Sequence, residues 1–522
     1  MRFILTTLVF GIFSKIAPGQ VSQPARYEEK FKYSDGVFTL ISLKREGLVL
    51  VRDREKYESG KKIWEAIILD TALTKKKRVE FTVESRNKLI GFEYTPGQVY
   101  LLFRQGDTEK NDLELVELNL DRDDIPHYVI NPELPLRLTH FSKAGSNIIL
   151  GGYVSKEPSI ILYSLSDKNI KVLPGFFQSD AELVDLRVNE NNTFNVVLID
   201  RALREERKAV FQTYDEKGAL LLEDKVNIQS KLTLQTGITS LLKREDLMLL
   251  GTWGEGNSKQ SNGFYALNVD PFADQKIQYV SFGELSRFLD YQKENRAKRI
   301  QENTRDVLQA GGIPNYTSYV MPYRVEEYQN GFLLFAEVYN PSSSGFNNYG
   351  SPYGPYYYNP YYSPYGWYYP GYGRLYSRPY SYGYNSRTND EIKTFESVVV
   401  SFDEKGKVQW DYSENLEEVK RSSMEQVSDF NFTNNKLVFL HKKESELKIK
   451  SVVVNSDESE EMTEKIRTYY PEDEIRSEKE GEGGSMYWYN NSFYVWGYQT
   501  IRNNTQEERV RDVFYINKIE IN

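Results

Sequence analysis

One unit recurs along this chain and constrains its fold more than any other feature. An apolar strand is followed by a short polar turn and then by a second, more strongly apolar strand. The unit reads Val37 to Leu43 with Leu48 to Val51, Leu89 to Tyr94 with Val99 to Phe103, and Leu138 to Phe141 with Ile148 to Tyr153. It continues as Val184 to Val188 with Phe194 to Ile199, and Ile238 to Leu242 with Leu247 to Trp253. The last three are Tyr323 to Tyr328 with Phe332 to Tyr339, Val427 to Phe432 with Leu437 to Leu440, and Met486 to Tyr489 with Phe493 to Tyr498. Gly and Asn in the turns supply the positive φ that tight hairpins need.

The turns at Gly47, Gly97, Asn147, Asn192 and Asp246 lie roughly fifty residues apart, the spacing of four-stranded blades in a β-propeller. Each unit has a third strand: Trp64 to Leu69, Leu113 to Leu118, Ile160 to Leu165, Ala209 to Thr213, Phe264 to Val269, Ser397 to Phe402, Leu447 to Val454 and Val513 to Ile519. The turn after it repeats nearly verbatim as Tyr214-Asp215-Glu216-Lys217-Gly218 and Phe402-Asp403-Glu404-Lys405-Gly406. The fold class is therefore all-β, a β-propeller, with eight blades fitting the count better than seven. A pair of β-sandwiches is the competing architecture. The eighth unit ends after its third strand, and Arg26 to Lys32 is left over near the start. That segment is predicted to close the last blade, removing edges that would otherwise pair with other chains. Residues 20–522 then form one domain.

Two stretches break the period. Gly283 to Gln309 reads as a helix, with Leu285, Phe288, Leu289, Ile300, Val307 and Leu308 near helical spacing and a charged middle, and Gly311-Gly312 and Pro314 end the insertion 283–312. It suits a solvated helix laid over the ring, or else a plug of the channel or an arm to a partner. The second stretch, 340–390, is rich in tyrosine: fifteen of the thirty-six residues from Tyr349 to Tyr384. Pro and Gly at its density forbid regular structure. Tyrosine-rich loops bind by stacking and adaptable hydrogen bonds. The candidate recognition residues are Tyr356, Tyr357, Tyr361, Tyr362, Trp367, Tyr368, Tyr369, Arg374 and Arg378. An unselective low-complexity loop is the alternative.

The compartment is read from the first residues. Met1-Arg2, the apolar run Phe3 to Phe13 and the small residues Ala17-Pro18-Gly19 form a signal-peptide pattern over 1–19, with Gln20 as the expected new N-terminus. No later segment has membrane-spanning length, so the mature chain is expected to be periplasmic or extracellular. With 39% hydrophobic and 14% aromatic residues, global disorder is excluded. A formal charge of −9 argues against a nucleic-acid partner, which needs a basic face.

Chemistry is scarce. There is no cysteine, so disulfides and thiol catalysis are excluded. His127, His140 and His441 are too far apart in sequence to pair on a metal, and each reads as a turn or strand residue. No nucleophile elbow and no phosphate loop is present. Asp121, Asp123 and Asp124 read as a solvated turn, because the glycine and distal glutamate of a calcium loop are missing. No cofactor and no metal are expected. Propeller hydrolases that use paired carboxylates at the channel mouth keep an enzymatic alternative open, but 75 acidic residues give no way to choose the pair.

The signal peptide, the eight hairpins and the charged helix feeding Phe332 to Tyr339, with its Glu337-Val338-Tyr339-Asn340-Pro341, give the chain a layout that resembles exported β-propeller proteins of Gram-negative envelopes. The resemblance implies no catalytic residues. The WD40 dipeptide is missing, and no sorting domain follows the last blade, which favours the periplasm. The resulting expectation is a non-enzymatic binding or scaffolding propeller with a protein or glycan partner in the envelope. The alternative is a hydrolase of the same compartment acting on carbohydrate or peptide.

Overall fold

The computed structural model describes residues 21–32, 35–105, 112–174, 181–200, 206–240, 247–256, 258, 260–270, 275–341, 392–421, 425–456, 458–479 and 482–522. Eight antiparallel sheets follow one another along the chain, seven of them built from consecutive strands. Blades 1 to 7 cover residues 39–84, 87–130, 137–172, 181–228, 232–281, 319–421 and 428–465. In blade 8 the strands Gly484–Tyr489, Ser492–Arg502 and Val510–Ile521 are completed from the far end of the chain by Val21–Lys30. That N-terminal strand pairs antiparallel with Val510–Ile521, Ala25 opposite Lys518 and Lys30 opposite Val513. A short strand, Glu474–Glu478, pairs with the far half of Ser492–Arg502, an addition that no hydrophobic alternation in the sequence announces.

The period-two alternation of each strand decides what it packs against. In blade 1, Leu40, Leu48, Leu50, Ile67 and Leu69 face blade 8, where they meet Trp488, Trp496 and Phe514. Their neighbours Ile41, Val49, Val51, Ala66 and Ile68 face blade 2, against Leu101, Phe103 and Val116. The same division repeats around the ring, so there is one apolar cluster for each of the eight junctions between successive blades. The eight-bladed ring is closed. The N-terminal strand serves both of its junctions, with Tyr27 in the cluster of blades 8 and 1 and Val21 against that of blades 7 and 8.

Turn chemistry works as the residues suggest. Asp215 Oδ1 accepts the amides of Lys217 and Ala219, and Asp403 Oδ1 accepts those of Lys405 and Lys407. Gly218 and Gly406 take φ of 73° and 77°, the left-handed position each turn requires. Asn434 and Asn435, at φ 53° and 61°, form a two-residue hairpin of the kind whose twist matches its strands.

The helical insertion differs from its sequence reading. The α-helix is Glu294–Gln309, and residues 285–293 are not helical although Leu285, Phe288 and Leu289 repeat at helical spacing. The carboxylate of Asp411, on the outer strand of blade 6, explains this. It accepts the amides of Ser286, Arg287 and Phe288, which therefore do not join a helical ladder. Phe288 is freed to stack on Phe282 at 4.0 Å. The helix packs through Ala297 and Ile300 onto the cluster between blades 5 and 6.

Candidate functional site

The first strand of each blade lies innermost, and these strands contact one another from blade to blade around the axis. Their backbone edges face the axis and have no sheet partner, so their amides need another acceptor. Side chains from the preceding blade provide it. Thr239 N donates to Asp185 Oδ2 at 2.8 Å, Tyr487 N to Asp429 Oδ2 at 2.8 Å, and Ser428 N to Glu337 Oε1 at 2.8 Å. Tyrosine phenols do the same for Leu183 N (Tyr153) and Phe38 N (Tyr498). In blades 2, 3, 4 and 6 the inner strand also carries a bulge at a similar place, ahead of Gly91, His140, Asp185 and Arg324. A bulge shifts every later side chain to a new facing, which is how charged residues reach the ring interior.

At the face that carries the first turn of each blade, the axis opens into a cavity of about 800 Å³. Blades 1, 2, 4, 6, 7 and 8 line it. Aromatic side chains make much of the wall: Tyr94, Phe432, Tyr487, Trp488, Tyr489 and Tyr494. Trp488 Nε1 donates to Gly47 O at 3.3 Å, and its ring meets Tyr489 edge-on at 5.1 Å. Gly47 has to be glycine: its φ is 126°, and a Cβ there would lie 1.9 Å from Leu69 O. The turn of blade 1 can thus lean onto blade 8, where Arg45 donates to Asn490 Oδ1 at 2.9 Å.

Behind this wall Arg324 ties three blades together. Its guanidinium sits over the Phe430 ring at 4.0 Å and near the Tyr487 ring at 5.5 Å. It donates to Phe430 O at 2.7 Å and pairs with Asp429 at 3.2 Å. Burial pushes the Asp429 carboxyl up, and the Arg324 charge opposes that. Arg187 makes the matching link from blade 4 by donating to Thr239 O. Two rim carboxylates are engaged. Glu46 accepts Gly97 N at 3.1 Å, and Glu326 lies 3.4 Å from Arg324 Nε. Tyr94 is pushed up, first by burial and then by the Glu46 charge and hydrogen bond.

A second cavity, about 840 Å³, opens at the outer side of blades 1 and 2. There His127 Nδ1 meets Glu114 Oε1 at 3.0 Å, and Asn87 donates to the other oxygen at 2.7 Å. His441 is buried against Glu414 at 2.8 Å, and His140 beside Thr139 at 2.8 Å. Asp121, Asp123 and Asp124 are exposed, with Asp123 paired to Lys77 at 2.8 Å.

Tyr356, Tyr357, Tyr361, Tyr362, Trp367, Tyr368, Tyr369, Arg374 and Arg378 lie outside the described residues. The strands on either side of them, Gly331–Pro341 and Ile392–Asp403, are paired up to Pro341 opposite Ile392. That anchor is at the opposite end of blade 6 from its first turn, and so on the face away from the aromatic cavity. In the sequence, Met486 to Tyr489 reads as a strand, and Tyr487, Tyr489 and Arg324 do not stand out as site residues. The available signal was a run of aromatics on an inner strand, and an arginine inside an apolar one.

No family model matches the chain, and no curated protein does. Among solved structures it is similar to the β-propeller domain of the Trilobed protease from Pyrococcus furiosus, with 10% identity over 82% of this chain and 94% of that one, at a TM-score of 0.32. It is also similar to the polysaccharide lyase Uly1 (7%, 95% and 99%, 0.39). A third similarity is to a prolyl endopeptidase (10%, 89% and 55%, 0.41), of which the chain spans only about half. These are likenesses of fold, and no activity passes from them to this chain.

Proposed function

We propose that this is an exported, non-enzymatic propeller of the cell envelope that binds its ligand in the aromatic cavity at the axis. The observation that carries the reading is the character of that mouth: rings from blades 2, 7 and 8 around a void, with Glu46 and Glu326 already engaged by their own framework. Hydrolysis would need a carboxylate with a raised pKa facing the substrate. Among the described residues the carboxylates with raised pKa values are Asp53, Asp290, Glu337, Glu396, Asp411 and Asp429, and none of them lines this cavity. The Tyr-rich segment 340–390 is a second recognition element in this reading, anchored on the opposite face.

A photo-crosslinking residue placed at Tyr489 should capture a partner from native envelope material, and one placed at the exposed outer position Leu221 should not. Equal capture at both positions, or turnover of an envelope substrate by the purified protein, would overturn the reading. Export rests on the pattern of residues 1–19, and mass spectrometry of the mature protein should find an N-terminus near Gln20. Intact Met1 on protein from the cytoplasm would contradict it.

A further inference from the structure

We infer that the ligand of the axial cavity is a neutral oligosaccharide; this rests on the reading of that cavity as the binding site. Three features of the mouth point to this class. The first is charge. The lining holds Lys44, Arg45 and Arg187 together with Glu46, Glu326 and Glu327, three charges of each sign. An acidic or basic polymer gains no net attraction there, whereas a neutral ligand loses nothing by the balance.

The second is the supply of hydrogen-bonding groups around flat rings. Asn490 uses its carbonyl to accept from Arg45, and Asn491 uses its carbonyl to accept from Asn431 at 3.3 Å. Each amide nitrogen keeps donors for a ligand hydroxyl. Tyr94, Phe432, Tyr487 and Tyr489 are half-buried, so each presents part of its ring to the void. Rings held this way stack on the C–H faces of sugar rings at little entropic cost. Tyr487 is held in advance by the Arg324 guanidinium near its ring and by Asp429 on its amide.

The third feature argues against an extended peptide, the natural competitor. Such a peptide would bind by adding a strand to an open edge and needs free amides there. Around the axis several of those amides are already used. At the mouth Tyr487 N donates to Asp429, and elsewhere along the axis Thr239 N, Ser428 N and Leu183 N likewise donate to a side chain of the preceding blade. The volume, about 800 Å³, lies within the usual range for small-ligand sites of roughly 300–1,000 Å³.

The test uses the mature chain on an array of neutral oligosaccharides, acidic oligosaccharides and unstructured peptides, followed by titration on tryptophan fluorescence. The expected result is binding of neutral oligosaccharides that changes little between about 50 and 500 mM salt. Tyr489→Ala and Asn490→Ala should each weaken it by about tenfold, and Tyr489→Phe should restore most of the loss. Thermal unfolding of each variant shows that the ring is intact. Binding confined to acidic glycans or to peptides, and lost in Tyr489→Ala, overturns the saccharide assignment while keeping the cavity as the site. Neutral-glycan binding that survives both alanine variants overturns it by placing the sugar elsewhere. No binding of any probe, together with no crosslink at Tyr489, overturns the underlying reading as well.

Discussion

Glu337 offers the sharpest test of how the inner ring is held. It lies on the second strand of blade 6 and is fully buried. Oε1 accepts the amides of Val427 at 2.9 Å and Ser428 at 2.8 Å, at the start of blade 7, while Oε2 has no hydrogen-bond partner. Burial pushes its carboxyl from an ordinary 4.5 up to about 8, against the pull of those two amides and of Arg421, and Asp429 raises it further. Between these two values the folded protein holds a proton that the unfolded chain has released. Stability contributed by this group is therefore fully present below pH 4.5 and declines as pH rises towards 8. At ~1.4 kcal/mol per pH unit, the full decline from this one group is about 5 kcal/mol. Glu337→Gln keeps a carbonyl oxygen for the two amides and removes the titration. Its new amide hydrogens meet the unpartnered side of the site, which costs about 1–3 kcal/mol at every pH. The readout is thus the slope and not the offset. Denaturant unfolding from about pH 4 to about pH 9 should show the wild type losing several kcal/mol more than Glu337→Gln. Parallel stability curves for the two proteins would refute the argument.

Three further outcomes follow from the same packing. Deleting residues 20–33 removes the buried Tyr27 and Phe31 and opens the edge of Val510–Ile521, so stability should fall by roughly 3–6 kcal/mol; unchanged thermal unfolding would refute the role of that strand. Arg324→Met leaves Asp429 buried without its partner and should cost about 3–5 kcal/mol by denaturant titration, with part of the loss recovered in the double variant Arg324→Met/Asp429→Asn. Replacing 342–389 by a short Gly-Ser linker should leave thermal unfolding unchanged, because closing a longer or shorter loop alters stability by about 1 kcal/mol, and should abolish capture of any partner that the segment recognises. An unfolded linker variant would show the segment to be structural.

The sequence made the ring legible because blade strands obey simple rules. Unbroken apolar runs mark strands with two buried faces, and Asn, Gly and Asp-led turns mark where they reverse. Leu48 to Val51 and Val99 to Phe103 could be read directly from their apolar runs. The start of the helix was not legible, since the spacing of Leu285, Phe288 and Leu289 suits a helix, and only Asp411, more than a hundred residues later, shows why their amides turn elsewhere. The axial cavity was less legible still. Its wall joins Arg45 to Asn490 and Trp488 to Gly47, pairs separated by over four hundred residues. Which side chains face the axis also depends on the inner-strand bulges, and a bulge shifts facing without changing composition. What the sequence did offer were violations of its own pattern. Arg324, Glu337 and Asp429 are ionisable residues inside apolar strands; Glu337 and Asp429 each bridge two blades, and Arg324 bridges three.

The cavity sits across the seam where the ring is closed, and this links binding to stability. Blade 1 begins the ring and blade 8 ends it, and no covalent connection joins their inner strands except through the whole chain. Two contacts cross the seam at the mouth, Arg45 to Asn490 and Trp488 to Gly47, and a third, Phe38 N to the Tyr498 phenol, crosses it at the far end of the inner strand. The apolar cluster of blades 8 and 1 and the salt bridge Arg78–Glu29 at 2.5 Å close the same seam further out. If the seam opened, the wall formed by Lys44, Arg45 and Glu46 would part from the wall formed by Tyr487 to Asn491. A ligand that touches both walls therefore binds only the closed ring, and it stabilises that ring by RT ln(1 + [L]/Kd), about 2.7 kcal/mol at a hundredfold excess over Kd. A ligand seated on the outer cavity between blades 1 and 2 touches neither of these walls and leaves the seam as it found it.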